Sequence, residues 1–217
     1  MKNRTWFFLS VLMMSAVLLA SERLMVGRFS VGDLSGWTSQ KFNGETHYRL
    51  KFDHGDQILE ADSQQTASGL VKNQTVDLSK TPFLNWRWKV IKCPAARDRD
   101  ERSKAGDDYA ARIYVIKKGG LAFWRTKAIN YVWSANQARG SVWENAFAGR
   151  QAIMVAVRGQ DDAGGEWKVE KRDVRKDFKR FFDEDILVID AIAIMTDTDN
   201  AGGRAIAEYG DIYFTAD

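Results

Sequence analysis

Residues 83–90 read FLNWRWKV. Leu84, Trp86, Trp88 and Val90 fall on one side of an extended chain, and Asn85, Arg87 and Lys89 fall on the other. That period of two belongs to a half-buried β-strand. Pro82 stands before the strand and Pro94 after it, where neither interrupts a ladder.

The same alternation recurs along the chain. HYRLKF (47–52) and QILEADS (57–63) are joined through His54-Gly55-Asp56, a turn signal. GLVKNQTVDL (69–78) is a third strand region. In DDYAARIYVI (107–116), Ala111, Ile113 and Val115 face a core if Asp108, Arg112 and Tyr114 face out. AINYVW (128–133), QAIMVAVR (151–158) and EWKVEKRD (166–173) add three more. The run ILVIDAIAI (186–194) is apolar on both faces, which places it inside a sheet, and 205–214 forms a last strand. One helix interrupts: Asp173 caps VRKDFKRFFDED, whose Val174, Phe178, Phe181 and Phe182 share a helical face. About ten short strands and one short helix predict a jelly-roll-like antiparallel β-sandwich. A lipocalin-like closed barrel is the alternative; the buried strand near the C-terminus and the long connections favour the sandwich.

Residues 1–20 are of another kind. Lys2 and Arg4 precede WFFLSVLMMSAVLLA, fifteen residues without a charge, and Ala20-Ser21 ends the run with small side chains. This is the pattern of a secretory signal peptide. Fifteen residues reach only ~23 Å as a helix, short of a hydrocarbon core, which favours cleavage over an anchor. The expectation is one domain over 21–217, periplasmic or secreted, with no membrane attachment after cleavage. Losing Lys2 and Arg4 takes the formal charge from +3 to +1. A chain so near neutrality is not built to neutralise a phosphate backbone, so nucleic acid is not an expected partner. The single cysteine, Cys93, forms no internal disulfide, and a chain of this length can bury enough surface without one.

Several chemistries lack their residues. The two histidines, His47 and His54, flank a turn and belong to no HExxH or Cys/His cluster. P-loop, dinucleotide fingerprint and nucleophile elbow are missing. What remains is a set of polar and aromatic candidates. MTDTDNAGG (195–203) places Asp197, Asp199 and Asn200 at the mouth of an apolar strand. Counted from Asp197, Gly202 is sixth and Glu208 twelfth, part of a calcium-loop pattern. Ala201 at position five and the strand-like flanks reject an EF-hand. Asp197, Asp199 and Asn200 stay as candidate ligands of a structural calcium of another shape, set against a plain polar turn. No other cofactor is expected. Tyr131 and Trp133 align with Ile129, as Trp86 and Trp88 align with Leu84, so these rings are either sugar-stacking platforms or core. Trp124 and Trp143, near loops, are freer. Asp108, Arg112, Arg158, Glu170 and Arg172 sit on polar strand faces, where Arg forks clamp carboxylates of a ligand or of one another. The charged loop from Arg97 to Lys104 reads as a solvated excursion.

Taken together, LNWRWKV (84–90), DDYAARIYV (107–115), NYVWS (130–134), MTDTDN (195–200) and YGDIYF (209–214) resemble the bacterial family DUF3047. The family pattern falls here on Asp108, Arg112, Tyr131, Trp133, Asp197, Asp199 and Asn200. The resemblance implies an exported protein of sandwich type, similar in architecture to carbohydrate-binding modules, and brings no activity with it. The expected function is binding of a saccharide or other polar small molecule through Asp108, Arg112, Tyr131, Trp133, Glu170, Arg172, Asp197, Asp199 and Asn200. One alternative is a glycoside hydrolase or polysaccharide lyase drawing its carboxyl groups from Asp108, Glu170 and Asp197. The other is a non-catalytic envelope scaffold.

Overall fold

The computed structural model describes residues 23–94 and 99–217. The expected signal segment lies outside the described residues. Two sheets stack face to face. The first runs β11 (Lys168–Asp173), β6 (Phe83–Lys92), β13 (Arg204–Thr215), β4 (Asp56–Gln64) and β3 (His47–Asp53), with β1 (Leu24–Gly27) also pairing to β13. The second runs β2 (Trp37–Asn43), β5 (Ala67–Asp77), β12 (Val188–Asp197), β7 (Ala111–Lys117), β8 (Lys127–Trp133), β10 (Gly149–Arg158) and β9 (Val142–Asn145). The β-sandwich expected from the strand pattern is the fold. One pairing departs from the antiparallel rule: β10 runs parallel to β8, with Ile153 opposite Ile129. The departure is possible because β9 and its loops carry the chain back between them. β1, β2 and β9 are short or polar-faced, and alternation alone does not reveal them.

The core follows the period of two. Leu84, Trp86, Trp88 and Val90 are buried, as are Ala111, Ile113 and Val115 on β7 and Ile129, Tyr131 and Trp133 on β8. Trp86 stacks on Tyr131 with centroids 5.6 Å apart, and Trp88 lies 6.0 Å from Trp133. The two sheets therefore meet through these four rings, which replace bulk apolar area with defined ring geometry. β12 lies between β5 and β7, as its two apolar faces require. Ile192 and Ile194 enter the core, while Ala193 and Met195 are buried on the opposite face.

The single α-helix among the described residues, α1 (Val174–Phe182), begins at Asp173, whose side chain accepts the Lys176 amide N–H. It ends three residues earlier than a reading through 185 implies, because Asp183 adopts a left-handed conformation at φ 56°. Val174 and Phe178 are buried beneath it. The charged loop before β7 is not wholly solvated. Glu101 is fully buried and accepts the Ala135 amide N–H at 2.6 Å and the Ser134 hydroxyl. An exposed excursion is overruled there because Glu101 pins the loop to the end of β8.

Candidate functional site

The second sheet presents a face away from the core. On it stand Met195 and Asp197 from β12, Arg112 and Tyr114 from β7, Asn130 from β8 and Ala152 from β10. Register brings them into a row: Arg112 pairs with Met195, and Tyr114 pairs with Asn130. Phe42, Asn145, Phe147, Asp107, Asp199 and Asn200 wall the hollow above them, which has a volume of about 440 Å³. Phe42 and Phe147 are exposed at its rim, 68% and 58% accessible.

The floor is built around one guanidinium. Arg112 points outward from its strand as the alternation requires, yet it is fully buried rather than solvated. Its Nε donates to Asp197 Oδ1 at 3.0 Å, and Nη2 donates to Asp197 Oδ2 and, at 2.6 Å, to the Asp107 carbonyl. Nη1 donates to the Tyr114 hydroxyl at 3.3 Å. The Tyr109 ring lies 4.3 Å from the guanidinium carbon. Four of the five N–H donors of the fork are thereby engaged. Burial works against this charge, but Asp197, Tyr114 and Asp107 outweigh it and hold the Arg112 pKa well above the ordinary guanidinium value. Burial pushes the Tyr114 hydroxyl up to about 12, against the pull of Arg112.

The loop after β12 is tied down beside this pair. Asp108 accepts the Asn200 N–H on one oxygen and the Ala201 N–H on the other. Asn200 Nδ2 also donates to Asp108 and to Asp199. Tyr109 N–H donates to Asp197 Oδ1 at 3.1 Å, and Asp197 N–H donates to the Tyr109 carbonyl. Gly202 and Gly203, at φ 82° and 89°, let the chain turn back into β13 at no steric cost. Asp108, Arg112, Asp197, Asp199 and Asn200 thus converge at one end of the hollow.

The carboxylates of Asp108, Asp197 and Asp199 offer oxygens within 4.8 Å of one another. Their chemistry fits a cation poorly. Both Asp108 oxygens face backbone N–H groups, and both Asp197 oxygens face the Arg112 fork. A positive guanidinium already stands where a divalent ion needs free lone pairs. Glu208, twelfth in the calcium-loop count, lies on β13 and binds Lys51 and Lys89 at 2.5 Å instead.

The other candidates lie elsewhere. Tyr131 and Trp133 are buried between the sheets, and the Tyr131 hydroxyl donates to Asp177 at 2.7 Å. Core burial was the competing reading of these two rings, and it is where the structure puts them. Glu170 and Arg172 face inward from β11 rather than lying on an outer face. Glu170 accepts from Trp88 Nε1 at 3.2 Å and from Arg158 Nε at 2.5 Å. Arg172 binds Asp177 at 2.6 Å. The buried indole N–H demands an acceptor, and that demand turns Glu170 inward and leaves Val169 74% exposed. These two residues line a separate groove of about 150 Å³ beside Arg139, Arg180 and Phe181. Of the freer tryptophans, Trp143 stacks on Tyr109 at 6.4 Å, and Trp124 is 60% exposed away from the hollow's lining.

Asp107, Tyr114, Asn130, Asn145, Phe42 and Phe147 escape a reading by motif. The signal for Asn130 and Tyr114 is present: each alternates with core residues and so shares the face of Arg112. Asp107 Oδ1 and Asn130 Oδ1 are buried without a hydrogen-bond partner. Asp107 Oδ2 has the Asn145 amide at 3.3 Å and Arg112 Nη1 at 3.7 Å. Burial raises the Asp107 pKa above the ordinary carboxyl value, opposed by Arg112 and Asn145.

No curated protein matches the chain. Among solved structures it is similar to the family 11 carbohydrate-binding module of the cellulosomal cellulase Lic26A-Cel5E of Clostridium thermocellum. The identity is 12%, the alignment covers 91% of this chain and 96% of that one, and the TM-score is 0.47. The family 30 carbohydrate-binding module of cellulosomal cellulase Cel9D-Cel44B of Clostridium thermocellum gives 11% identity, coverage of 84% and 92%, and a TM-score of 0.47. The xyloglucanase domain of NopAA, a type three effector from Sinorhizobium fredii, gives 9% identity, coverage of 83% and 93%, and a TM-score of 0.44. The family profile described as "Protein of unknown function (DUF3047)" matches residues 35–213, and the chain belongs to that family.

Proposed function

We propose that this is an exported binding protein whose ligand, a saccharide, seats in the hollow on the outer face of the seven-stranded sheet. The observation that carries the reading is the combination at one place of exposed rings and unpaired buried polar atoms. Phe42 and Phe147 offer apolar faces at the rim, the surface against which the C–H face of a sugar ring packs. Asp107 and Asn130 line the hollow, their Oδ1 atoms are buried without a partner, and a buried polar atom left unpaired costs about 1–3 kcal/mol until a donor reaches it. Strands hold Phe42 on β2 and Asn130 on β8, and loops place Phe147 and Asp107 beside them.

Binding is better supported than turnover. Hydrolysis of a glycosidic bond needs two carboxyl groups facing each other across a groove. Glu170 lies in the other groove, Asp108 is engaged by backbone N–H groups, and Asp197 by Arg112. The test is an array of immobilised glycans probed with the wild-type protein and with the Phe42→Ala/Phe147→Ala double variant. Retained signal at a subset of glycans, lost in the variant, is the expected result. Equal signal from both proteins places the ligand elsewhere.

A further inference from the structure

Resting on the saccharide reading, we infer that the hollow selects a neutral, hydroxyl-rich sugar chain and rejects acidic ones such as uronates. The argument is one of donors and charge. Among the described residues Arg112 is the single cation in the lining, and its fork is already closed on Asp197. It has no free edge left to clamp a ligand carboxylate, because bidentate recognition needs two parallel N–H donors. Arg112 and Asp197 offset each other, and the lining carries two further carboxyl groups, Asp107 and Asp199. Arg99 and Lys104 stand outside the lining, Arg99 holding the Asn200 carbonyl and Lys104 lying over the Phe147 ring. A ligand anion on the floor thus meets acidic side chains in a site of low dielectric, with no free guanidinium edge among the described lining residues to offset them.

The unpaired atoms point the same way. Asp107 Oδ1 and Asn130 Oδ1 are both acceptors, so the ligand must bring hydrogens to them. Sugar hydroxyls do so and carboxylates do not. A ligand that turns a carboxylate to these atoms leaves them unpaired, while one that turns hydroxyls to them does not.

The experiment is titration calorimetry of the full-length mature protein. The probes are cellohexaose, xylohexaose and galactan oligosaccharides on the neutral side, and oligogalacturonate and oligoalginate on the acidic side. At least one neutral probe is expected to bind, with acidic probes at least tenfold weaker. Asp107→Ala is expected to weaken the neutral probe about tenfold or more, with an unchanged circular dichroism spectrum confirming its fold. Acidic probes binding as tightly as neutral ones, or alone, overturn the charge argument and leave the saccharide reading in place. Binding of neither class overturns both. Neutral binding that Asp107→Ala leaves intact removes the floor acceptor from the account.

Discussion

Arg112 on β7 and Asp197 on β12 close a two-pronged fork across neighbouring strands, each 2% exposed. The pair forms the floor of the hollow and ties the loop before β7 to the end of β12. Removing one partner leaves a buried charge without compensation. Asp197→Ala is therefore expected to lower unfolding free energy by about 3–5 kcal/mol, while the double replacement Arg112→Met/Asp197→Leu costs less than either single change. Urea denaturation of the three variants measures this, and additive losses would contradict the coupling.

Glu101 predicts a pH dependence. Burial pushes its carboxyl up to about 7, with Ser134 and the Ala135 N–H pulling the other way. The folded state then holds a proton that the unfolded chain releases near 4.5. The unfolded state binds fewer protons between those values, so stability falls as pH rises through that window and levels off above it. The loss attributable to Glu101 is about 3 kcal/mol. Glu101→Gln is expected to flatten the slope between pH 4.5 and 7, and an unchanged slope counts against the assignment.

A chelator is expected to leave the thermal midpoint unmoved. Asp108 and Asp197, two of the three clustered carboxylates, already face N–H donors and a guanidinium. A bound ion would add stability by mass action, so a midpoint that drops with EDTA and recovers with calcium would reverse this expectation.

Glu170→Ala separates the two grooves. It leaves the Trp88 indole N–H without an acceptor and takes from Arg158 one of its two carboxylate partners, Asp162 remaining, at a cost of about 2–3 kcal/mol. Glycan binding in the hollow is expected to stay within twofold of wild type. A loss of binding at full folding would shift the site towards β11.

Much of the fold is written in local patterns, and much of the site is not. Leu84, Trp86, Trp88 and Val90 alternate within eight residues, so their burial needs no distant information. The apolar run before Met195 likewise announces an inner strand. Tyr131 and Trp133 alternate with Ile129, which already pointed to the core. The Arg112–Asp197 fork is different: it depends on β7 lying beside β12, a contact 85 residues apart, and no periodicity encodes neighbours in a sheet. Glu170 misleads because charge in an alternating strand suggests solvent, while the Trp88 indole demands a buried acceptor. Asp107 and Phe147 sit in loops, where position follows from tertiary closure alone.

The most direct measurement is a nuclear magnetic resonance titration with whichever glycan binds best. The side-chain amides of Asn130 and Asn145 and the backbone amides around Asp107, Tyr114 and Met195 are expected to shift together and saturably. Shifts confined to β11 and α1, with those five positions silent, would contradict a ligand seated on the seven-stranded sheet.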